Sequence, residues 1–210
     1  MYAAIASDDD NEADGAFPAA CEAMRTFVAI RLPLEVTELL KSIQAGLNRG
    51  LKGVSWVRPE SIHLTLKFLG EIDDAKALKV SAELEKAAQA VSPFTLEVGG
   101  AGSFPNARAP KVVWAGIKES VELSKLQKKI DERLTSIGFE AEKRPFTPHL
   151  TLCRIKSAEE GRALGKLVTE AGSGEQAKAA FTVDSFVFMK SVLKPSGAEH
   201  TAIKEFALKA

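Results

Sequence analysis

The sequence predicts an α+β protein, and three observations carry that reading. About eight β-like runs and four helical runs follow one another in mixed order, without the regular alternation of a doubly wound sheet. Two of those strands open on one tetrapeptide: His63-Leu64-Thr65-Leu66 recurs as His149-Leu150-Thr151-Leu152, 86 residues later. Such a repeat predicts two related lobes, each giving a strand to a shared cleft. Apolar residues are 45% of the 210 and charged residues 27%, a globular mix sized for one domain or two small lobes on one core.

The first strand runs from Thr26 to Leu32, where apolar and polar residues alternate. Pro33 then opens a helix from Leu34 to about Leu47, its missing N–H costing nothing in a first turn. Val54–Val57 and Ser61–Leu69 read as strands parted by Arg58 and Pro59. Asp73 or Asp74 can cap a helix to Ala90, along which Ala75, Leu78, Ala82 and Leu84 recur at helical spacing. Phe94–Val98 is a strand, and the Gly/Pro-rich GGAGSFPNARAP after it reads as a loop. Lys111–Ile117 is a strand, and Ser120–Ile137 is a helix ended by Gly138. His149–Ile155 is a strand, Ala158 to about Ala171 a helix, and GSGEQ a loop. Phe181–Leu193 and Thr201–Leu208 close the series, with the turn KPSG between them.

Composition excludes several classes. A collagen, a wholly disordered chain and a disulfide scaffold are all ruled out, the last because Cys21 and Cys153 are the only cysteines. No stretch reaches the roughly 18 apolar residues of a membrane span. No Lys or Arg precedes Arg25 and no long apolar run lies there, so a secretory signal is not expected and the cytoplasm is. Bases and acids balance at 28 each, but six of the acids and none of the bases fall in residues 1–23. That stretch is expected to be a disordered acidic extension. Residues 24–210, the expected single bilobal domain, are left with a net charge of +6, which suits an anionic ligand without requiring one.

Strand geometry gives the repeat its chemistry. Side chains at i and i+2 share a face, so His63 and Thr65 point one way while Leu64, Leu66 and Phe68 point the other. His149 and Thr151 likewise oppose Leu150 and Leu152. Two imidazoles and two hydroxyls around one small ligand suit a phosphate ester. A neutral imidazole can take a proton from water, an imidazolium can give one to the leaving oxygen, and the threonines can donate to the other phosphate oxygens. No carboxylate or thiolate cluster accompanies either motif, so neither a metal nor a cofactor is expected.

The chain resembles the 2H phosphoesterase superfamily, marked by two H-x-T/S-x motifs. Within it the chain is most similar to the RNA 2′,3′-cyclic phosphodiesterases, also called 2′-5′ RNA ligase-like. The matching stretches, in order, are RTFVAIRLP, W-x-R-P-E-x-x-HLTLKFLGE, GSFPNARAPKVVWAGI, RPFTPHLTLCR and S-x-L-x-P-x-G, spanning residues 25–208. The resemblance implies a bilobal, duplicated fold with two antiparallel sheets around a central cleft and helices outside. It implies metal-independent hydrolysis of 2′,3′-cyclic phosphates at RNA ends to 2′-phosphomonoesters, with His63 as proton donor and His149 as proton acceptor. RNA ends or cyclic nucleotides are the implied partners, with no membrane, and a monomer is expected. A nucleotide-binding module without turnover, or 2′-5′ ligation as the physiological direction, are the alternatives.

Other residues carry smaller expectations. Arg154 matches an arginine that the family associates with anion binding, yet simple alternation places it with Leu150 and Leu152 unless a bulge re-aims it. Lys67 shares the parity of His63 and could add positive charge to the cleft or merely end the strand in solvent. Cys153 reads as a small buried thiol, and Trp56 and Trp114 as core. Phe104 is a stacking candidate or a loop anchor. His200 stands where the family often has Tyr. Gly99, Gly100 and Gly102 do not make a dinucleotide-binding fingerprint.

Overall fold

The structure is a computed structural model that describes residues 23–48, 50–172, 178–195 and 197–209. The acidic extension expected for residues 1–23 lies outside these apart from Ala23, as do most of GSGEQ and one residue of the KPSG turn. The elements run β1 (Met24–Arg31), α1 (Leu34–Leu47), β2 (Val54–Trp56), a 3-10 turn (Pro59–Ser61), β3 (His63–Ile72), α2 (Asp74–Ala88), β4 (Phe94–Phe104) and β5 (Val112–Ile117). They continue with α3 (Val121–Thr135), β6 (His149–Ile155), α4 (Ala158–Gly172), β7 (Ala179–Val183), β8 (Ser185–Lys194) and β9 (Gly197–Ala207).

Two sheets result, one of four strands in the order β3-β1-β8-β9 and one of five in the order β2-β6-β5-β4-β7. Every pairing is antiparallel. Helices cover the sheets with faces that the sequence encodes. Leu123, Leu126, Ile130 and Leu134 recur at three- and four-residue steps on α3 and are fully buried, as are Val80, Leu84, Ala87 and Ala88 on α2. They pack into one core with Leu64, Leu66, Leu150 and Leu152. Burying such a side chain contributes about 1.5–3 kcal/mol. Asp73 and Ser120 cap α2 and α3 by accepting from the Lys76 and Leu123 N–H groups. Gly138, at φ 91°, takes the left-handed turn after α3.

Three boundaries differ most from expectation. β4 continues through the glycine run to Phe104, because residues 101–104 pair with β5 over residues 112–115. The apolar run expected as one strand from Phe181 to Leu193 is two: β7 belongs to the five-stranded sheet, β8 to the four-stranded one, and Asp184 lies between them. β9 begins at Gly197, four residues early, since β8 pairs with it to the hairpin end. Among the described residues no helix is long and apolar enough to cross a membrane.

Candidate active site

His63 opens β3, the edge of the four-stranded sheet, and His149 opens β6, inside the five-stranded one. The two strands approach each other where the sheets meet. Leu64, Leu66, Leu150 and Leu152 are buried, while His63, Thr65, His149 and Thr151 stay partly exposed, which is the alternation the tetrapeptides predict.

Both imidazoles are held in the same way. His63 Nδ1 lies 2.9 Å from the Ser61 carbonyl oxygen, and His149 Nδ1 lies 2.8 Å from that of Thr147. A carbonyl oxygen can only accept, so each Nδ1–H donates and each Nε2 is the acceptor of a neutral ring. The partner is two residues upstream in each case, so the backbone entering each strand fixes ring and tautomer together. Aromatic rings complete the mounting. Phe27 stacks on His63 at 4.8 Å between centroids, and His200 meets His63 edge to face at 5.1 Å. Phe104 meets His149 edge to face at 5.0 Å, with Trp114 tilted against it at 6.4 Å. Burial pulls the His63 imidazole below its ordinary pKa; the Ser61 bond opposes that shift and the nearby His200 adds to it. His200 is lowered too, by burial.

Each motif strand then breaks its alternation at the same place. On β3, Thr65 pairs with Ala29 and Lys67 with Val28, so Leu66 is an extra residue. On β6, Thr151 pairs with Trp114 and Cys153 with Val113, so Leu152 is the extra one. Each bulge turns the side chains that follow it to the other face, on β3 as far as Leu69, where a second irregularity falls. Leu66 and Lys67 are therefore both buried, and so are Leu152 and Cys153, whereas Phe68 and Arg154 emerge exposed on the faces of His63 and His149. The carbonyl of Leu152 is satisfied by the Val57 N–H and by the buried Gln44 side chain of α1.

This corrects two expectations and answers a third. Lys67 does not join the face of His63: its ammonium donates to Asp131 of α3 at 2.5 Å and to the Glu140 carbonyl. Phe68 is not a core residue and meets Phe27 at 6.0 Å. For Arg154, the bulge removes the parity objection. Cys153 is a buried thiol whose pKa burial raises to about 11. Trp56 packs on the core as expected, but Trp114 walls the surroundings of His149. Phe104 ends β4 beside that histidine, and His200 adjoins His63. The sequence marked His200 only as a departure from its relatives, and nothing in it singled out Phe27. Among the described residues no three His, Cys, Asp or Glu side chains form a group able to hold a metal ion.

Paired H-x-T-x strands on two such sheets define the two-histidine phosphoesterases. The chain belongs to the LigT-like phosphoesterase family, which it matches over residues 30–114 and 116–198; each segment carries one histidine motif. It is 33% identical over 183 residues to an RNA 2′,3′-cyclic phosphodiesterase of Archaeoglobus fulgidus, covering 87% of this chain and 99% of that one. To the enzyme of that name from Methanothermobacter thermautotrophicus it is 31% identical over 185 residues, covering 88% and 99%. Among solved structures, E. coli LigT in apo form superposes with a TM-score of 0.72 at 27% identity, covering 90% of this chain and 99% of that one. The same E. coli protein with 3′-AMP bound gives 0.71 at 26% identity, covering 90% and 100%.

Proposed function

We propose that this phosphoesterase hydrolyses 2′,3′-cyclic phosphodiester ends of RNA to 2′-phosphomonoesters, using His63 and His149 as an acid/base pair and no metal ion. The observation that carries the reading is the matched pair of Nδ1–H bonds to backbone carbonyls, which leaves each Nε2 as the working atom of a fixed ring. In this reading the cyclic phosphate lies between the two motif strands. His149 Nε2 takes a proton from the attacking water as its oxygen bonds to phosphorus. The P–O3′ bond breaks, and His63 Nε2 delivers a proton to the departing O3′, leaving the phosphate on O2′.

The assignment of acid and base follows the family resemblance. Burial draws His63 towards neutrality in the free protein, so the acid role requires that the bound phosphate anion restore its proton through opposite charge. Thr65 and Thr151, two residues after each histidine, donate to the non-bridging oxygens, and Arg154 adds its guanidinium. Aromatic rings pack on both imidazoles, and each Nδ1 is held by a backbone carbonyl, an arrangement that supports proton transfer at Nε2. Relatives named for this activity support the substrate class.

The test is incubation of the full chain with a short RNA ending in a 2′,3′-cyclic phosphate, in the presence of a chelator. A 2′-phosphate product is expected. A 3′-phosphate product, or turnover that appears only on adding zinc or manganese, overturns the proposal.

A further inference from the structure

We propose that His200 is a third working histidine of this site, a neutral ring whose Nε2–H donates a hydrogen bond to a non-bridging oxygen of the bound phosphate. The inference rests on the cyclic-phosphate reading above and adds to it a residue that lies outside both histidine motifs.

Position supplies the first argument. β9 and β3 are opposite edges of the four-stranded sheet, with β1 and β8 between them. The His200 ring nonetheless reaches to 5.1 Å from that of His63 between centroids. It lies 5.1 Å from Phe27 as well, at 81°, so it stands perpendicular to the stacked Phe27–His63 rings. A tetrahedral phosphate is wide enough to touch His63 and His200 at once.

The tautomer supplies the second. His200 Nδ1 is buried with no hydrogen-bond partner, although the residue as a whole is partly exposed. A neutral imidazole carries one N–H. On Nδ1 it would be an orphaned buried donor, a group that folded proteins avoid. The proton therefore sits on Nε2, and any polar contact that the ring makes outward runs through that N–H. His63 and His149 are the reverse, with Nδ1–H groups taken by carbonyls and Nε2 atoms that accept. The site thus holds two ring nitrogens that exchange protons and a third that only donates a hydrogen bond.

Charge supplies the third. An imidazolium needs a partner for each of its two N–H groups. His63 has one in the Ser61 carbonyl, so it can take the second proton that a bound phosphate anion invites. His200 has none at Nδ1, and burial holds its pKa down. Of these two adjacent rings only His63 is then charged in the complex, which avoids the repulsion between them. His200 stays neutral and donates to the same anion.

Two variants and one spectrum test this. His200→Phe keeps a ring against Phe27 and removes the donor, while His200→Gln gives up the ring and sets an N–H near the place of Nε2. Turnover is measured on 2′,3′-cyclic AMP and on a methyl riboside 2,3-cyclic phosphate that lacks a base. A hydrogen bond to a charged group is worth about tenfold to a hundredfold. His200→Phe should lose that much kcat/KM on both substrates alike, and His200→Gln should recover most of it. The imidazole nitrogen NMR spectrum of the wild type should show Nε2 protonated and Nδ1 bare, with the Nε2 signal moving on titration with 2′-AMP. Wild-type kcat/KM in His200→Phe, a loss confined to the substrate with a base, a His200→Gln no better than His200→Phe, or a proton on Nδ1 overturns the proposal. A wild-type chain that binds 2′-AMP and turns over neither cyclic phosphate overturns hydrolysis alone. Calorimetry then decides the role of His200: its replacement by Phe should raise Kd for 2′-AMP about tenfold, and an equal Kd overturns the contact.

Discussion

His63 and His200 meet edge to face, with ring centroids 5.1 Å apart and planes at 85°, although 137 residues separate them in the chain. Both imidazoles are drawn towards neutrality by burial, and the pair repels a second proton. Above the ordinary imidazole value of 6.5, folded and unfolded chains are alike neutral at these sites. Below it the unfolded chain binds protons that the folded chain resists, so stability falls with falling pH and levels off once the folded rings also protonate. Urea midpoints should therefore drop from about pH 7.5 to about pH 5.5. His200→Phe keeps the packing on Phe27 and removes one titrating group, so its drop should be shallower. Equal drops in the two proteins would refute the coupling.

The two histidines should be individually indispensable. His63→Ala and His149→Ala are each expected to lower kcat by about 10²–10⁴-fold, with the double variant losing less than the product of the two. The rate of the wild type should rise and fall with pH, and its two apparent pKa values belong to the pair. Single-turnover kinetics across pH read this directly. Wild-type turnover by His63→Ala would make the motif architectural.

Lys67 is expected to matter for stability. Its side chain is 5% exposed and that of its partner Asp131 20% exposed, and Asp131 also accepts from the Glu142 N–H. Breaking a buried pair from one side costs about 3–5 kcal/mol; the residual access of water to Asp131 puts Lys67→Met near the low end. Adding Asp131→Leu should cost less than the two single losses together. Chemical denaturation of the four proteins measures the cycle.

Removal of the guanidinium in Arg154→Met should leave the melting temperature within about a degree or two, since an exposed side chain away from special features contributes little. Its KM for a cyclic phosphate should rise, by the equivalent of about 1.5–3 kcal/mol for a hydrogen bond to a charged group. Thr65→Val and Thr151→Val should each lose a similar amount of kcat/KM. A normal KM in Arg154→Met would place that side chain outside the substrate site.

The Cys153 thiol, with its pKa raised to about 11 by burial, should resist iodoacetamide in the folded protein at neutral pH and react once it is unfolded. Peptide mapping reports the modification, and activity should survive treatment. Rapid labelling of native Cys153 would contradict its burial.

Much of the site was legible because the repeat is short and alternation is a simple rule. His63, Thr65, His149 and Thr151 all follow from it. Lys67, Phe68 and Arg154 do not, because the rule assumes unbroken pairing. The bulges at Leu66 and Leu152 arise from register against β1 and β5, which local sequence does not state. The length of β4 was hidden by its glycines, which read as a loop, although Gly102 pairs with Trp114 of β5 and lies against its indole. The switch at Asp184 was hidden for the opposite reason: apolar residues continue on both sides while the chain passes from one sheet to the other.

That strand order has a consequence for how the protein can be divided. A cut in the 118–120 connection leaves β1–β5 in one piece and β6–β9 in the other. Yet β8 must insert beside β1, and β6 between β2 and β5. Neither fragment can build a whole sheet, and each holds only one of the two motif histidines. The halves are interlaced like the fingers of two hands, which makes the chain a natural split reporter: turnover would appear only where both pieces had found each other and folded as one.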